Sequence, residues 1–350
     1  MINVQLRKIP RRYGWLGRIT ALSAMLSCAF ALDTALAQTQ PKPDWSLADM
    51  PSQKERIFLV TGGTSGMGFE DAKALAAAGA RVIIASRNPQ RGQEAIDQIR
   101  KDIPDAKVQF ESFDLSDLSS VRALAARLGS TLPRLDGLIN NAAIMAPPDR
   151  STSADGFEMQ FATNYAGHFV LTAELLPLLG KSDSPRVVTL SSIAVHLGSI
   201  NFNDLQFTQT YEPMTAYAQS KLACLMFALE LQRRGDAAGW GIRSLAAHPG
   251  VAVTELVERG PGLDSPQGRQ WSAMRARLPT AAQGAIPTLY AATAPEAQGG
   301  AYYGPIGEKE VAGPLGRATV PAEASDPELA ARLWTITEEL TGTRFPSPGY

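Results

Sequence analysis

The chain has 350 residues and a net charge of -1, with 45% hydrophobic and 19% charged residues. That balance describes an ordinary globular chain long enough to bury a sizeable core, and it gives no electrostatic footing for nucleic acid or an anionic surface as partner. Two cysteines (Cys28 and Cys224) and three histidines form no ligand cluster, which argues against a metal site built by the protein.

Residues 1–37 read as a signal peptide. Arg7, Lys8, Arg11, Arg12 and Arg18 make a basic start, Ile19 to Leu32 is apolar, and Ala35-Leu36-Ala37 resembles a small-residue cleavage site. Arg11-Arg12 also raises the twin-arginine route, which exports folded proteins. The apolar run is short for a span and Asp33 closes it, so no stable membrane span is expected in the mature chain. A periplasmic or otherwise exported location follows, with a cytoplasmic protein of misassigned start as the alternative. Cleavage after Ala37 would leave Cys224 alone, without a disulfide partner. Residues 38–55 are a linker and lead-in.

From Arg56 onward short apolar runs alternate with helical patterns. Strands are expected at Ile57 to Val60, Val82 to Ala85, Val108 to Phe113, Leu135 to Asn140, Arg186 to Ser191 and Ile242 to Ala247. Helices are expected at Glu70 to Ala78, Arg91 to Arg100, Val121 to Leu128, Phe157 to Leu179 and Tyr217 to Arg233. This rhythm predicts one α/β domain over residues 56–342: a doubly wound (Rossmann) parallel sheet with helices on both faces, followed by a tail at 343–350.

Ligands of such sheets sit beyond the carboxyl ends of the strands. The first strand runs into Gly62, Thr64, Ser65, Gly66, Met67 and Gly68, a turn whose glycines admit positive φ and close approach of a pyrophosphate to a helix N-terminus. A purely structural turn would also use three glycines. After the second strand stands Arg87 and no acid, which favours NADP over NAD, since an arginine meets a 2′-phosphate; a solvated helix-start residue is the other reading. Asp114-Leu115 follows the third strand, where the carboxylate either meets an adenine amino group or starts the next helix. Asn140, Asn141, Ala142 and Ala143 follow the fourth, where an Asn either ties strands together or lines the cleft.

Ser191-Ser192 ends the fifth strand, and Tyr217 and Lys221 share one face of the following helix. An ammonium beside a phenol lowers its pKa from about 10 toward working pH, fitting it to exchange a proton with a carbonyl or alcohol oxygen. Ser192 would hydrogen-bond that oxygen as charge develops. In this order the residues resemble the short-chain dehydrogenase/reductase family in its non-extended branch, over about Trp45 to Gly342. Thr61-Gly62-x-x-x-Gly66-x-Gly68 resembles its cofactor turn, and Asn140-Asn141-Ala142-Ala143 its Asn-Asn-Ala-Gly, with Ala143 in place of glycine. The Ser192 to Tyr217 spacing, His248-Pro249-Gly250, Tyr302-Tyr303-Gly304-Pro305, Arg332-Leu333-Trp334 and the lead-in Asp44-Trp45 resemble the retinol-dehydrogenase-like members.

The resemblance implies hydride transfer between NADP(H), with NAD as a second option, and an alcohol or carbonyl. Tyr217 would be acid or base, and Ser192 would polarise the oxygen. Lys221 would tune Tyr217 and bind the ribose, and Asn164 would hold a relay water. Pro249, Gly250, Val251 and Thr254 would meet the nicotinamide. It also implies a substrate lid near 255–280, whose Leu256, Val257, Leu263, Trp271 and Met274 suit an apolar substrate, or else simply pack a helix. The long helices ending at Leu179 and Leu231 would serve a homodimer or homotetramer, unless sheet packing accounts for their apolar faces. His168 is expected against the sheet, His196 in the cleft or outside it, His248 in the service of its loop, and Cys224 as a buried thiol. A non-catalytic NADP(H)-binding sensor or scaffold, and a sugar-nucleotide epimerase or dehydratase, are the alternative functions.

Overall fold

In the computed structural model, which describes residues 40–346, the first apolar run becomes strand β1 (Ile57–Thr61), buried along its whole length. The export segment read in residues 1–37 lies outside the described residues. β1 alternates strictly: Ile57 and Leu59 enter one core layer, Phe58 and Val60 the other. Both faces are therefore covered, which is why the run reads as continuously apolar.

The remaining strands are β2 (Arg81–Ser86), β3 (Lys107–Ser112), β4 (Gly137–Asn140), β5 (Arg186–Leu190), β6 (Arg243–Ala247), β7 (Tyr302–Pro305) and β8 (Leu315–Arg317). They form one sheet in the order β3-β2-β1-β4-β5-β6-β7-β8. Neighbours pair in parallel from β3 to β7. Strand β8 departs from the all-parallel expectation, because it returns from β7 through a short loop instead of a helical crossover and pairs antiparallel. The order reverses between β1 and β4, and beyond their carboxyl ends a crevice opens.

Helices α1 (Gly66–Ala77), α2 (Pro89–Asp102) and α3 (Leu118–Thr131) follow the first three strands. Asn88 caps α2 by accepting from the Arg91 N–H at 3.1 Å, and Asp117 caps α3. Helix α4 (Gly167–Leu179) is preceded by a π-helical turn, Phe161–Ala166, where a continuous helix from Phe157 was expected. Helix α5 (Pro213–Ala238) starts before Tyr217, with Glu212 accepting from the Met214 and Thr215 N–H groups, and stops at Gly239 in the left-handed region. Helices α6 (Pro266–Met274), α7 (Ile286–Thr293) and C-terminal α8 (Pro327–Thr341) complete the set used below.

One core layer packs α3, α4, α5 and α8 on the sheet, and the other packs α1, α2 and α7. Both ends of the described stretch join in. Trp45 is buried edge-on against Tyr290, with ring centroids 5.5 Å apart, so packing begins inside the lead-in rather than at Arg56. At the other end Phe345 stacks with Trp334 at 4.5 Å, and Trp334 meets Phe169 at 4.9 Å and Phe227 at 5.8 Å. The apolar faces of α4 and α5 are thus covered by α3, by the sheet and by the chain's own C-terminus. Their breadth is accounted for without a second copy. Among the described residues no helix is long and apolar enough to cross a membrane.

Trp334 closes this aromatic cluster at 2% exposure. Trp334→Ala is expected to cost about 3–5 kcal/mol. Urea unfolding should show it as a lower midpoint at unchanged slope.

Candidate active site

The glycine turn lies at the crevice, where Gly62 and Gly66 take φ of +68° and +56°. A Cβ on Gly68 would stand 2.6 Å from the Gly62 carbonyl oxygen and 2.4 Å from Asn141 Nδ2, so only glycine fits. Ser65 precedes α1 in an extended conformation and makes no side-chain cap, which leaves the first-turn N–H groups to an anion at the helix N-terminus. Thr64, Ser65, Met67, Asn141 and Ala142 line the cleft there. Asn141 carries out both roles foreseen for it, since its Nδ2 also donates to the Thr61 carbonyl at 2.8 Å and ties β1 to the exit of β4.

Arg87 reaches the cleft mouth with its side chain 65% exposed and Nη1 4.0 Å from Asp114 Oδ2. The other Asp114 oxygen accepts from the Ser116 N–H at 2.9 Å and hydroxyl at 2.7 Å, so this residue does turn the chain toward α3. Leu115, beside it, lies against Gly167, where a Cβ would stand 2.4 Å from the Leu115 carbonyl oxygen. Across the mouth, Arg91 faces Glu255 of the lid at 3.4 Å, and Arg259 pairs with the same carboxylate.

Deeper in, Ser192 opens the turn Ile193–Leu197, its Oγ accepting from the Ala194 N–H at 3.1 Å, and it lines the same cleft as Tyr217. Burial pushes Tyr217 up to about 12, and the nearby Ser192 hydroxyl pulls the other way. The expected depression of this phenol by Lys221 is absent. Lys221 donates from Nζ to the Leu190 carbonyl at 3.0 Å, and burial lowers its own pKa. Desolvation therefore governs both groups.

Asn164 sits in the π turn. Its Oδ1 accepts from the Ile144 N–H at 2.9 Å, and its Nδ2 donates to the Ile144 carbonyl at 3.0 Å and to Ser220 Oγ at 2.9 Å. Its carbonyl accepts from His168 Nδ1 at 2.9 Å and from the Cys224 thiol at 3.1 Å. Asn164 Oδ1 keeps one acceptor position beyond the Ile144 N–H, where a relay water would bind. His168 is buried as expected, and Cys224 is a buried thiol.

Pro249, Gly250, Val251 and Thr254 line the same cleft, with Gly250 at φ +69° and Thr254 packed over Gly66. Of the lid residues, Leu256, Val257 and Trp271 face the cleft, whereas Leu263 and Met274 are exposed at 42% each. The latter two do not build the wall foreseen for them. The whole cleft measures about 1460 Å³. Three lining residues carry no sequence signal: Met145, Met214 and Glu310. Both methionines pack against the small cluster of Ala194, Tyr217 and Ala218. Glu310 stands between His196 and His248, which places His196 at the cleft wall and His248 at the base of its loop. Among the described residues no group of His, Cys, Asp and Glu could hold a metal ion.

Residues 56–261 match the short chain dehydrogenase family. Mouse polyprenol dehydrogenase is 37% identical over 333 residues, 93% of this chain and 96% of its own length. Human retinol dehydrogenase 12 is 38% identical over 292 residues, 83% of this chain and 87% of its own. Among solved structures, an uncharacterized protein from Mycobacterium paratuberculosis superposes with a TM-score of 0.72 at 40% identity, covering 86% of this chain and 99% of its own. A short chain dehydrogenase from Shigella flexneri, complexed with NADP, gives a TM-score of 0.56 at 26% identity, covering 73% and 98%.

The glycine cradle is open to a direct check. Gly68→Ala forces a methyl into the Gly62 carbonyl and is expected to weaken binding of a nicotinamide dinucleotide by about tenfold or more. Calorimetric titration reads the loss, and an unchanged circular dichroism spectrum separates it from unfolding.

Proposed function

The chain belongs to the short chain dehydrogenase family and is an NAD(P)-dependent oxidoreductase, and we propose that it transfers a hydride between NADP(H) and an apolar alcohol or its carbonyl form. The observation that carries this reading is the convergence of Ser192, Tyr217 and Lys221 in the wall of the cleft that begins at the glycine turn. The cradle at Gly62, Gly66 and Gly68 and the uncapped start of α1 fit a pyrophosphate. Arg87 supports the choice of NADP, because its exposed guanidinium at the mouth matches a 2′-phosphate.

When bound, the nicotinamide supplies the hydride chemistry. The protein's share is position and proton. Ser192 donates to the substrate oxygen, and Lys221, beside Tyr217, takes the ribose hydroxyls. Tyr217, raised to about 12 by burial, stays protonated at neutral pH and serves as general acid toward a carbonyl oxygen. In the reverse direction it must first lose that proton, so the base is scarce at neutral pH. Asn164 holds the loop after β4 to α5 beside Lys221 and acts through position.

The apolar substrate rests on Met145 and Met214, packed on the cluster that holds Tyr217, and on Leu256, Val257 and Trp271 in the same cleft lining. Relatives named for polyprenol and retinol agree with such a wall. A panel of aliphatic, aromatic and terpenoid aldehydes with NADPH tests the reading, and turnover confined to small hydrophilic carbonyls would overturn it.

Tyr217→Phe is expected to lower turnover by about 10²–10⁴-fold while NADPH still binds. The pH dependence has a definite sign. With the phenol pKa raised, reduction should be flat between about pH 6 and about pH 9, and alcohol oxidation should climb across that window toward one log unit per pH unit. Stopped-flow rates in both directions read this, and an oxidation rate as flat as reduction would remove Tyr217 from the role of base. Arg87→Ala should lower the preference for NADPH over NADH by about tenfold through lost phosphate contacts, read as the ratio of the two kcat/KM values.

A further inference from the structure

The loop that follows β6 is held from behind by residues far downstream. His248 Nδ1 accepts from the Gly250 N–H at 3.1 Å, which fixes the imidazole proton on Nε2. That nitrogen faces Glu310 Oε2 at 3.2 Å. The second Glu310 oxygen accepts from the Thr319 N–H at 2.8 Å, just past β8. Burial works against the Glu310 charge, yet the neighbouring His248 ring and the Thr319 hydrogen bond keep its carboxyl down at about 2. The carboxylate is therefore a fixed anion in the cleft wall.

The surrounding backbone is built for this contact. Lys309 and Glu310 both take left-handed φ, +50° and +56°, although neither is glycine. The next residue, Val311, accepts the Val251 N–H at 2.9 Å, and a Cβ on Gly250 would stand 2.2 Å from that carbonyl oxygen. The His248 ring packs against Tyr302 with centroids 5.0 Å apart, and a Cβ on Gly304 would overlap it at 2.0 Å. Tyr302 in turn donates its hydroxyl to the Ser192 carbonyl at 3.2 Å. Glu310 thus lies at the junction of the β6 loop, the β7–β8 hairpin and the strand end that carries Ser192.

We propose that Glu310 and His248 are a positioning pair that holds the Pro249–Gly250–Val251 loop in the shape that receives the nicotinamide half of the dinucleotide. The pair rests on the function proposed above, in which that loop meets the nicotinamide. Its effect is confined to one half of the cofactor, since the glycine turn and Arg87 handle the other half without it.

Two variants keep the fold while breaking the pair. Glu310→Gln leaves one oxygen to share between Thr319 and His248. His248→Asn places an amide oxygen where Nδ1 accepts from Gly250 but loses the Nε2–H toward Glu310. The full chain and each variant are titrated calorimetrically with NADPH and with 2′-phospho-ADP-ribose, which lacks the nicotinamide. Each variant is expected to bind NADPH about tenfold more weakly while binding the fragment within about twofold of the parent chain. The double variant should bind NADPH no more weakly than the worse single one, because the two residues act as one unit. Equal losses for both ligands, or additive losses in the double variant, would overturn the pairing. A parent chain that binds neither ligand would overturn the proposed function itself, and this inference with it.

Discussion

The hydroxyl of Thr61, at the last position of β1, is the point on which the site hangs. It accepts from the Asn141 N–H at 2.9 Å and the Ala142 N–H at 3.0 Å, and it meets His168 Nε2 at 2.9 Å. Because His168 Nδ1 faces the Asn164 carbonyl, which can only accept, the proton sits on Nδ1 and Nε2 accepts from Thr61. Burial lowers His168 to about 4, so the ring stays neutral and keeps this tautomer. One oxygen with its capacity filled thereby fastens the glycine turn, the exit of β4 and the π turn to each other. In a dry interior such a chain of hydrogen bonds is stiff, and losing one member leaves others unpaired.

The same dryness explains the charges. Lys221 is buried with a carbonyl rather than a carboxylate for partner, so its ammonium is penalised instead of stabilised. Tyr217, equally buried, is driven toward the neutral form. Sequence spacing shows that these two side chains share a helix face, but it carries no information on depth. That is why the sign of the Tyr217 shift was not readable from the Tyr-x-x-x-Lys pattern.

Much of the fold was readable because the first six strands are short apolar runs punctuated by glycine and polar turns, and their carboxyl ends are where a doubly wound sheet places its ligands. Ser192, Arg87 and the glycine turn were found by that rule, and Tyr217 by its spacing to Lys221 on one helix face. Strands β7 and β8 escaped it. Tyr302–Pro305 holds a glycine and a proline, and Leu315–Arg317 is three residues long, so neither shows a period. The π turn was invisible because a widened turn keeps nearly the same apolar spacing as the helix it interrupts. Glu310 was invisible for another reason: it matters through contacts to His248 and Thr319, which no local pattern encodes.

The C-terminal position of those contacts has a consequence for how the protein comes into being. A nascent chain that has emerged through Gly250 already contains the glycine turn, Ser192, Tyr217 and Lys221. It lacks β7, the hairpin that carries Glu310, and α8 with Trp334. The parallel sheet ends at an unpaired β6, and the apolar face of α5 is bare. Synthesis from the N-terminus therefore assembles the nucleotide half of the cleft and its serine, tyrosine and lysine first, and the support behind the β6 loop last. Until the last strands are made, the exposed edge of β6 is the segment most in need of protection from pairing with another chain.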